Sequence, residues 1–188
     1  MDSGTDEGCA IQVQKGDRDA FGILVDRYEA KLLRYGRKFL PTTQDIEDIV
    51  QDVFVSAYRN IQSFDASQRF SPWIYRIAHN AFIDALKKNT RSPFILMDFD
   101  TLLSHAVSDE SVDKEREQKE MKIIIDKGLD QLSAKYREAL ILYYLEELSY
   151  KEIADVLQVP LGTVSARIKR AKAELKNIYQ KTEIHYGT

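Results

Sequence analysis

The side chains best suited to contact another molecule lie near the carboxyl end of this 188-residue chain. Two predicted helices meet there at Pro160. The second has these residues outside its apolar stripe, most of them polar or basic: Thr163, Ser165, Ala166, Arg167, Lys169, Arg170 and Lys172. Arginine can bind guanine through two hydrogen bonds in the major groove, whereas lysine mostly binds phosphate. The pattern predicts duplex-DNA recognition, with Ser165, Ala166 and Arg167 nearest the bases. The alternative is a solvated basic helix that only packs.

The elements that must position these residues are readable from their caps. Ser149 and Glu152 form a predicted capping box, and Leu148 with Ile153 forms the matching hydrophobic staple. Pro160 cannot continue the first helix, so the second is expected to begin between Pro160 and Thr163. Its buried stripe has steps of four and three: Val164, Ile168, Ala171, Leu175 and Ile178. This is the layout of a helix-turn-helix.

Three further helices are predicted in the amino-terminal half. Asp17 is expected to cap the first and Pro41 to end it. Thr42 or Thr43 starts the second, and Ser71 with Pro72 opens the third as cap and first helical residue. The predicted inner positions of the third helix are Trp73, Ile77, Ala81 and Leu86. On the second helix Glu47, Asp48, Gln51 and Asp52 lie opposite the apolar stripe and form an acidic face, which by composition alone is a solvated surface.

Composition narrows the functional class. The net charge is −3, and one cysteine and three scattered histidines give neither a disulfide nor a zinc-ligand pair. We therefore expect no cofactor, no metal site and no catalytic residues. The chain shows no signal peptide and no apolar run long enough to span a bilayer, which predicts a cytoplasmic protein without membrane insertion. No strand pattern is convincing, so the predicted fold class is all-α.

Three motifs in order resemble the extracytoplasmic-function (ECF) sigma factors of bacteria. They are QDIEDIVQDVF at residues 44–54, FSPWIYRIAHN at residues 70–80, and the helix-turn-helix from Leu148 to Ala171. The resemblance runs from about Gln14 to Tyr179. It implies two small helical domains, a region 2 bundle and a region 4 helix-turn-helix, joined by a flexible linker. It also implies an alternative sigma factor that binds core RNA polymerase and promoter DNA.

The same resemblance assigns roles to residues of the first domain. Glu47, Asp48, Gln51 and Asp52 would meet the polymerase, chiefly a basic coiled coil of its β′ subunit, with the β subunit as a further partner. The segment between the second and third helices would capture a base flipped from the −10 element, through Asp65, Ala66, Ser67, Gln68 and Arg69. Phe64 and Phe70 are expected to be core residues at its ends. Arg76, Asn80, Lys87 and Lys88 would hold the separated strands.

The predicted domain bounds follow from these motifs. They are an amino-terminal tail at 1–14, region 2 at 15–90, an acidic linker at 91–112, region 4 at 113–182, and a carboxyl-terminal tail at 183–188. Within the linker, the apolar patch Phe94–Met97 is either local packing or an anchor for a partner. The linker itself is either a solvated tether or a mimic of nucleic-acid backbone.

Two questions stay open at this point. A stand-alone helix-turn-helix regulator is the alternative function, although it has no need of the acidic face. Ser165 and Ala166 stand where relatives often carry a lysine and a small polar residue, so −35 recognition is expected to be weak. Another promoter-recruiting factor is therefore an expected partner. The resemblance separately implies an anti-sigma factor as a partner, since members of that family are commonly held by one.

Overall fold

The computed structural model describes residues 4–37, 39–89 and 129–186. Within these ranges the chain forms helices and no strand, which confirms the all-α prediction. The helices are α1 (Asp6–Gln14), α2 (Asp19–Gly36), α3 (Thr43–Asn60), α4 (Phe70–Asn89), α5 (Ala134–Leu140), α6 (Tyr150–Leu157) and α7 (Leu161–Tyr186). They belong to two compact units, Met1–Ile95 and Leu96–Thr188.

Residues 6–14 form α1, so the prediction of an amino-terminal tail is wrong for them. The helix begins after Thr5, whose Oγ1 accepts a hydrogen bond from the amide of Gly8 at 3.0 Å. Acidic residues in its first turn suit the positive end of the helix dipole. It packs against α2 and α4 through a short buried side: Cys9, Ala10 and Val13. A nine-residue helix with so narrow an apolar side gives almost no periodic signal in the sequence.

Helices α2 and α3 each bury one apolar side. Asp17 Oδ1 accepts hydrogen bonds from the amides of Asp19 and Ala20 at 3.0 and 3.3 Å, as expected of a capping carboxylate. Thr42 is the N-cap of α3, although its hydroxyl makes no capping hydrogen bond. The buried side chains of the two helices include Leu24, Tyr28, Leu32, Tyr35, Ile46, Val50, Val53, Phe54 and Ala57.

Helix α4 begins two residues earlier than predicted, at Phe70 instead of Pro72. Its first residue is Phe70, whose amide donates to Glu7 Oε1 at 2.9 Å, so the carboxylate that meets this helix end comes from α1. Ser71 is therefore not the N-cap and lies in the first turn together with Pro72. Proline is tolerated there because the first four amides of a helix have no intrahelical acceptor.

The buried side of α4 also differs from the prediction. Ile74, Tyr75, Ala78 and Phe82 are fully buried, whereas the predicted inner residues are all half-buried: Trp73, Ile77, Ala81 and Leu86. Apolar residues occupy most sides of this helix, so its periodicity alone admits more than one register. The side packed on α2 and α3 is the one that carries the aromatic rings.

Gly36 allows α2, α3 and α4 to meet closely. A Cβ atom at this position would lie 2.5 Å from Ile46 Cγ2 and 2.5 Å from Phe82 Cζ. The adjoining rings of Phe39 and Phe82 stack with centroids 5.1 Å apart. Because interiors are packed to crystal-like density, no larger side chain fits at this position without a shift of its neighbours.

The second unit contains the predicted helix-turn-helix. Ser149 and Glu152 form the capping box: the Ser149 amide donates to Glu152 Oε2 at 2.7 Å, and the Glu152 amide donates to Ser149 Oγ at 3.3 Å. Helix α6 ends at Gln158, which adopts a left-handed conformation with φ 54°. Helix α7 begins at Leu161, within the predicted interval, and its apolar stripe is buried as expected at Val164, Ile168, Ala171 and Leu175.

Ahead of the helix-turn-helix, α5 begins after its N-cap Ser133 and continues into a π-helical turn at Ile141–Leu145. Helix α7 extends to Tyr186, so residues 183–186 are helical and not part of a tail. The linker at 91–112 and its patch Phe94–Met97 lie outside the described residues, as do residues 113–128 of the predicted region 4.

Candidate interfaces for a protein partner and for nucleic acid

The acidic face of α3, defined by Glu47, Asp48, Gln51 and Asp52, is exposed at all four positions. Asp48, Gln51 and Asp52 share the side opposite the buried stripe, because residues three and four apart are neighbours on a helix. Val55 continues this side and is 47% exposed. Carboxylates around an apolar side chain suit a basic partner that also presents an apolar contact.

Residues 65–69, here called the loop, connect the helical turn Ile61–Ser63 to α4. Four of its five residues are exposed, and Ala66 is half-buried. Asp65 Oδ1 accepts from the Ser67 amide at 2.9 Å, and the Gln68 amide donates to the Asp65 carbonyl at 2.9 Å. Hydrogen bonding from Ser67 lowers the pKa of Asp65, so this carboxylate is ionised at neutral pH. The loop therefore presents polar groups on a bonded backbone.

Aromatic rings fix both ends of the loop. Phe64 and Phe70 are buried, as predicted, with ring centroids 5.4 Å apart. The Trp73 ring lies 5.2 Å from Phe64 and 5.4 Å from Phe70, and its side chain is half-buried. These three rings form a support under the loop and leave its polar residues facing outward.

Helix α4 brings three of its four candidate strand contacts together. Arg76, Asn80 and Lys87 are exposed on the same side, at helical spacings of four and seven. Lys87 Nζ lies 3.3 Å from Asp84 Oδ1, an exposed pair of small energetic weight that a phosphate can replace. Lys88 is exposed on a different side of the helix. A backbone track along α4 would use the first three.

The predicted surface of α7 needs a correction at Thr163 and Arg167. Each is only 4% exposed, so the expectation that they lie outside the apolar stripe is wrong. They are four residues apart and share a side that is covered within the folded unit, where α7 packs against α5 and α6. Burial lowers the pKa of the Arg167 guanidinium. Sequence reasoning missed this because arginine is among the residues least often fully buried.

The remaining candidates on α7 stay accessible. Lys169 is exposed, and Ser165, Ala166 and Arg170 are half-exposed. Lys172 is half-buried, with Nζ 5.4 Å from the Tyr144 ring centroid and 5.9 Å from that of Tyr143. Such a cation–π contact orients the ammonium group and leaves part of it for solvent or phosphate. The accessible surface of α7 is thus narrower and less rich in arginine than predicted.

Two residues of α1 that the sequence did not single out contact both ends of the loop. Gln14 Nε2 donates to the carbonyls of Ile61 and Phe64 at 2.7 and 2.8 Å. Glu7 accepts from Phe70 at the other end. The available signal was local, because Thr5 followed by two acidic residues is typical of a helix start.

Comparison with known proteins finds one family match in each of the two units. The Sigma-70 region 2 family model matches residues 24–92, and the Sigma-70, region 4 model matches residues 122–175. The ECF RNA polymerase sigma factor SigW of Bacillus subtilis is 37% identical over 173 residues, which cover 88% of this chain and 91% of that protein. The ECF RNA polymerase sigma-E factor of Escherichia coli K12 is 34% identical, covering 94% and 95%.

Solved structures agree with this relationship. The structure of CnrH in complex with the cytosolic domain of CnrY matches with a TM-score of 0.64 and 27% identity, over 94% of this chain and 97% of that one. The sigma factor RpoE from Bartonella quintana, solved with the anti-sigma factor NepR, shares the fold with a TM-score of 0.61 and 24% identity, over 85% and 96%.

The two family matches, one in each unit, make this chain a bacterial initiation factor of the sigma-70 type. More narrowly, this chain belongs to the ECF RNA polymerase sigma factors. It is an alternative sigma factor that binds core RNA polymerase and promoter DNA and directs transcription initiation. The family assignment favours this function over the stand-alone regulator.

Two observations concern the described part of the chain alone. None of its helices combines the length and apolar character that crossing a membrane requires. No group of three histidine, cysteine, aspartate or glutamate side chains there is arranged to hold a metal ion. Sigma factors as a class are non-enzymatic transcription factors.

Proposed function

We propose that the acidic face of α3 is the surface by which this sigma factor binds core polymerase, through a basic coiled coil of the β′ subunit. The observation that carries this proposal is the exposure of Glu47, Asp48, Gln51 and Asp52 on a helix whose opposite side is core. Complementary charge speeds encounter and fixes register more than it adds affinity. The exposed Val55 supplies an apolar contact in the same patch. The β subunit is a further partner.

We further propose that the loop reads the −10 element and that α4 tracks the opened strand. Asp65, Ala66, Ser67, Gln68 and Arg69 offer donors and acceptors for a flipped base, and Arg76, Asn80, Lys87 and Lys88 offer contacts to the strand. Opening costs about 0.6–2.2 kcal/mol of stacking per base-pair step. Captured bases and phosphate contacts must offset that cost, since the proposed function includes no covalent catalysis by this chain.

Helix α7 is proposed to dock in the major groove of the −35 element. Ser165 and Ala166 lie nearest the bases in this proposal, with Lys169, Arg170 and Lys172 at phosphates. Thr163 and Arg167 move from direct contact to support, because both are 4% exposed. A surface with so few base-reading groups favours weak −35 selectivity and is consistent with help from a second promoter-recruiting factor.

The polymerase contact is tested by charge reversal. We expect Asp48→Arg to weaken binding to core polymerase at least tenfold, since it places a cation against a basic partner. Asp26→Arg is the matched control, because Asp26 is exposed on the far side of α2 from the core and outside the acidic face. Equilibrium binding of labelled chain to core polymerase gives the readout. Equal affinities for both variants would refute the proposed contact.

The DNA contact is tested by a lysine and an arginine on α7, using a duplex selected from a randomised pool by the holoenzyme. Lys169→Ala should weaken binding to all sequences alike and reduce the slope of log K against log salt by about 1. The exposed Lys15→Ala should change neither. Arg167→Ala should leave base preference intact. If Arg167→Ala instead reduced the preference at one base pair by about 1–3 kcal/mol, Arg167 would be a base-contacting residue.

Regulation and location complete the proposal. The related CnrH is solved with the cytosolic domain of CnrY, and we propose that this chain likewise binds a regulatory protein of the anti-sigma type. It would act in the cytoplasm, where bacterial polymerase meets DNA. We propose region 2 at 15–90, with α1 added to it, and region 4 at 113–182.

A further inference from the structure

We infer that α1 positions the −10 loop, with Glu7 and Gln14 as positioning residues that hold its two ends. The inference rests on the proposed role of the loop in reading the −10 element. It concerns residues far from the loop in sequence, since the contacts join positions 47, 50 and 63 residues apart. Within the loop, local hydrogen bonds join Asp65, Ser67 and Gln68.

At the entrance to the loop, one side chain binds two carbonyls. Gln14 Nε2 has two N–H donors, and they reach the carbonyls of Ile61 and Phe64 at 2.7 and 2.8 Å. Gln62 Nε2 donates back to the Gln14 carbonyl at 3.0 Å. Three hydrogen bonds therefore fix the helical turn Ile61–Ser63 against the end of α1. The backbone direction at Phe64, where the loop departs, follows from them.

At the exit from the loop, a carboxylate meets a helix amino terminus. Glu7 Oε1 accepts from the Phe70 amide at 2.9 Å, the first amide of α4. A charged acceptor makes a stronger hydrogen bond than a neutral one and is favoured by the dipole of the helix it meets. This contact sets where α4 begins, and so how many residues remain between the two fixed ends.

Helix α1 is itself anchored to α2 by its first residue. Arg27 Nη1 lies 2.6 Å from Asp6 Oδ1, and Tyr28 Oη donates to Asp6 Oδ2 at 2.6 Å. Its other side is buried through Cys9, Ala10 and Val13. A rigid, doubly anchored helix with polar contacts to both loop ends restricts the loop to a narrow set of shapes. Pre-organisation of that kind lowers the cost of capturing a base.

The test uses the full chain bound to core polymerase and a pool of single-stranded DNA randomised over six positions. The wild-type chain should enrich a particular strand from this pool. With Gln14→Ala or Glu7→Ala we expect the enrichment of that strand to fall about three- to tenfold, because each substitution removes one or two hydrogen bonds. Glu7→Gln retains an acceptor oxygen and should recover much of the loss. Gln12→Ala, on the same helix and away from these contacts, should match the wild-type chain.

The possible outcomes distinguish failure of the inference about α1 from failure of the proposed role of the loop in reading the −10 element. Unchanged enrichment with Gln14→Ala and Glu7→Ala, in chains that still bind core polymerase, would overturn the role of α1 and leave the loop's role standing. Absence of any enriched strand with the wild-type chain would overturn both. If one variant fails to fold, judged by the fluorescence of the single tryptophan, Trp73, the variant at the other loop end decides the question.

Discussion

The loop of the first unit and helix α7 of the second are the two proposed DNA contacts, and their shapes are fixed over different distances along the chain. The loop ends are held by α1 through contacts that span 47 to 63 residues. The helix pair α6–α7 is set by a capping box that spans three residues and by one apolar stripe. Recognition by the loop should therefore respond to distant substitutions, and recognition by α7 to local ones.

Of the predicted substitutions, Gly36→Ala is expected to change the free energy of unfolding most, and only in the first unit. The new Cβ would approach Ile46 and Phe82 to 2.5 Å, an overpacking that costs about 1–3 kcal/mol. Gly22 is the matched control, because the same substitution meets no atom within 4 Å and should stabilise α2 by up to about 1 kcal/mol.

Denaturant unfolding followed by the fluorescence of Trp73 measures both changes, since the chain's only tryptophan lies in this unit. A Gly36→Ala transition that coincides with that of the wild-type chain would show that α2, α3 and α4 can separate without cost. That result would contradict the conclusion that packing between distant segments stabilises the first unit.

Ser149→Ala should have an intermediate effect and confine it to the second unit. The substitution removes the Oγ that accepts from the Glu152 amide and costs about 1 kcal/mol of helix stability. Circular dichroism should report an earlier unfolding transition, while the Trp73 fluorescence transition stays in place. Ser133→Ala is the control, because that N-cap hydroxyl makes no capping hydrogen bond. If both substitutions shifted the unfolding transition equally, the capping box would not stabilise α6.

Sequence patterns predicted the parts of the fold that depend on local chemistry. The capping box, the start of α7 and its buried stripe all follow from residues within one or two helical turns. The patterns failed where distant residues decide. Helix α1 is too short for a periodic signal, α4 starts at Phe70 because Glu7 meets its first amide, and its buried side is chosen by the rings of α2.

The candidate sites divide in the same way. The acidic face and the loop are exposed as residue type suggests. Arg167 is buried although its type favours the surface, because the side of α7 on which it lies is covered within the second unit. The position of Arg167, three residues after Val164, is compatible with the buried side, but its residue type argued against burial. The positioning contacts of Gln14 were unpredictable for a different reason, since they join segments far apart in the chain.

The smallest expected effect concerns the local part of the loop and its dependence on pH. The Ser67 hydrogen bond lowers the pKa of Asp65 in the folded chain, so the carboxylate form is favoured by folding. The contribution of this hydrogen bond to folding is present above the ordinary aspartate pKa of about 3.9 and is lost as pH falls through the lowered value.

The Ser67 amide resonance should therefore shift with an inflection below about pH 3.9. In Asp65→Asn the Oδ1 acceptor remains without a titrating group, so the shift should vanish. An inflection at or above the ordinary aspartate value would mean that Ser67 does not hold this carboxylate, and the local part of the comparison would fail for the loop.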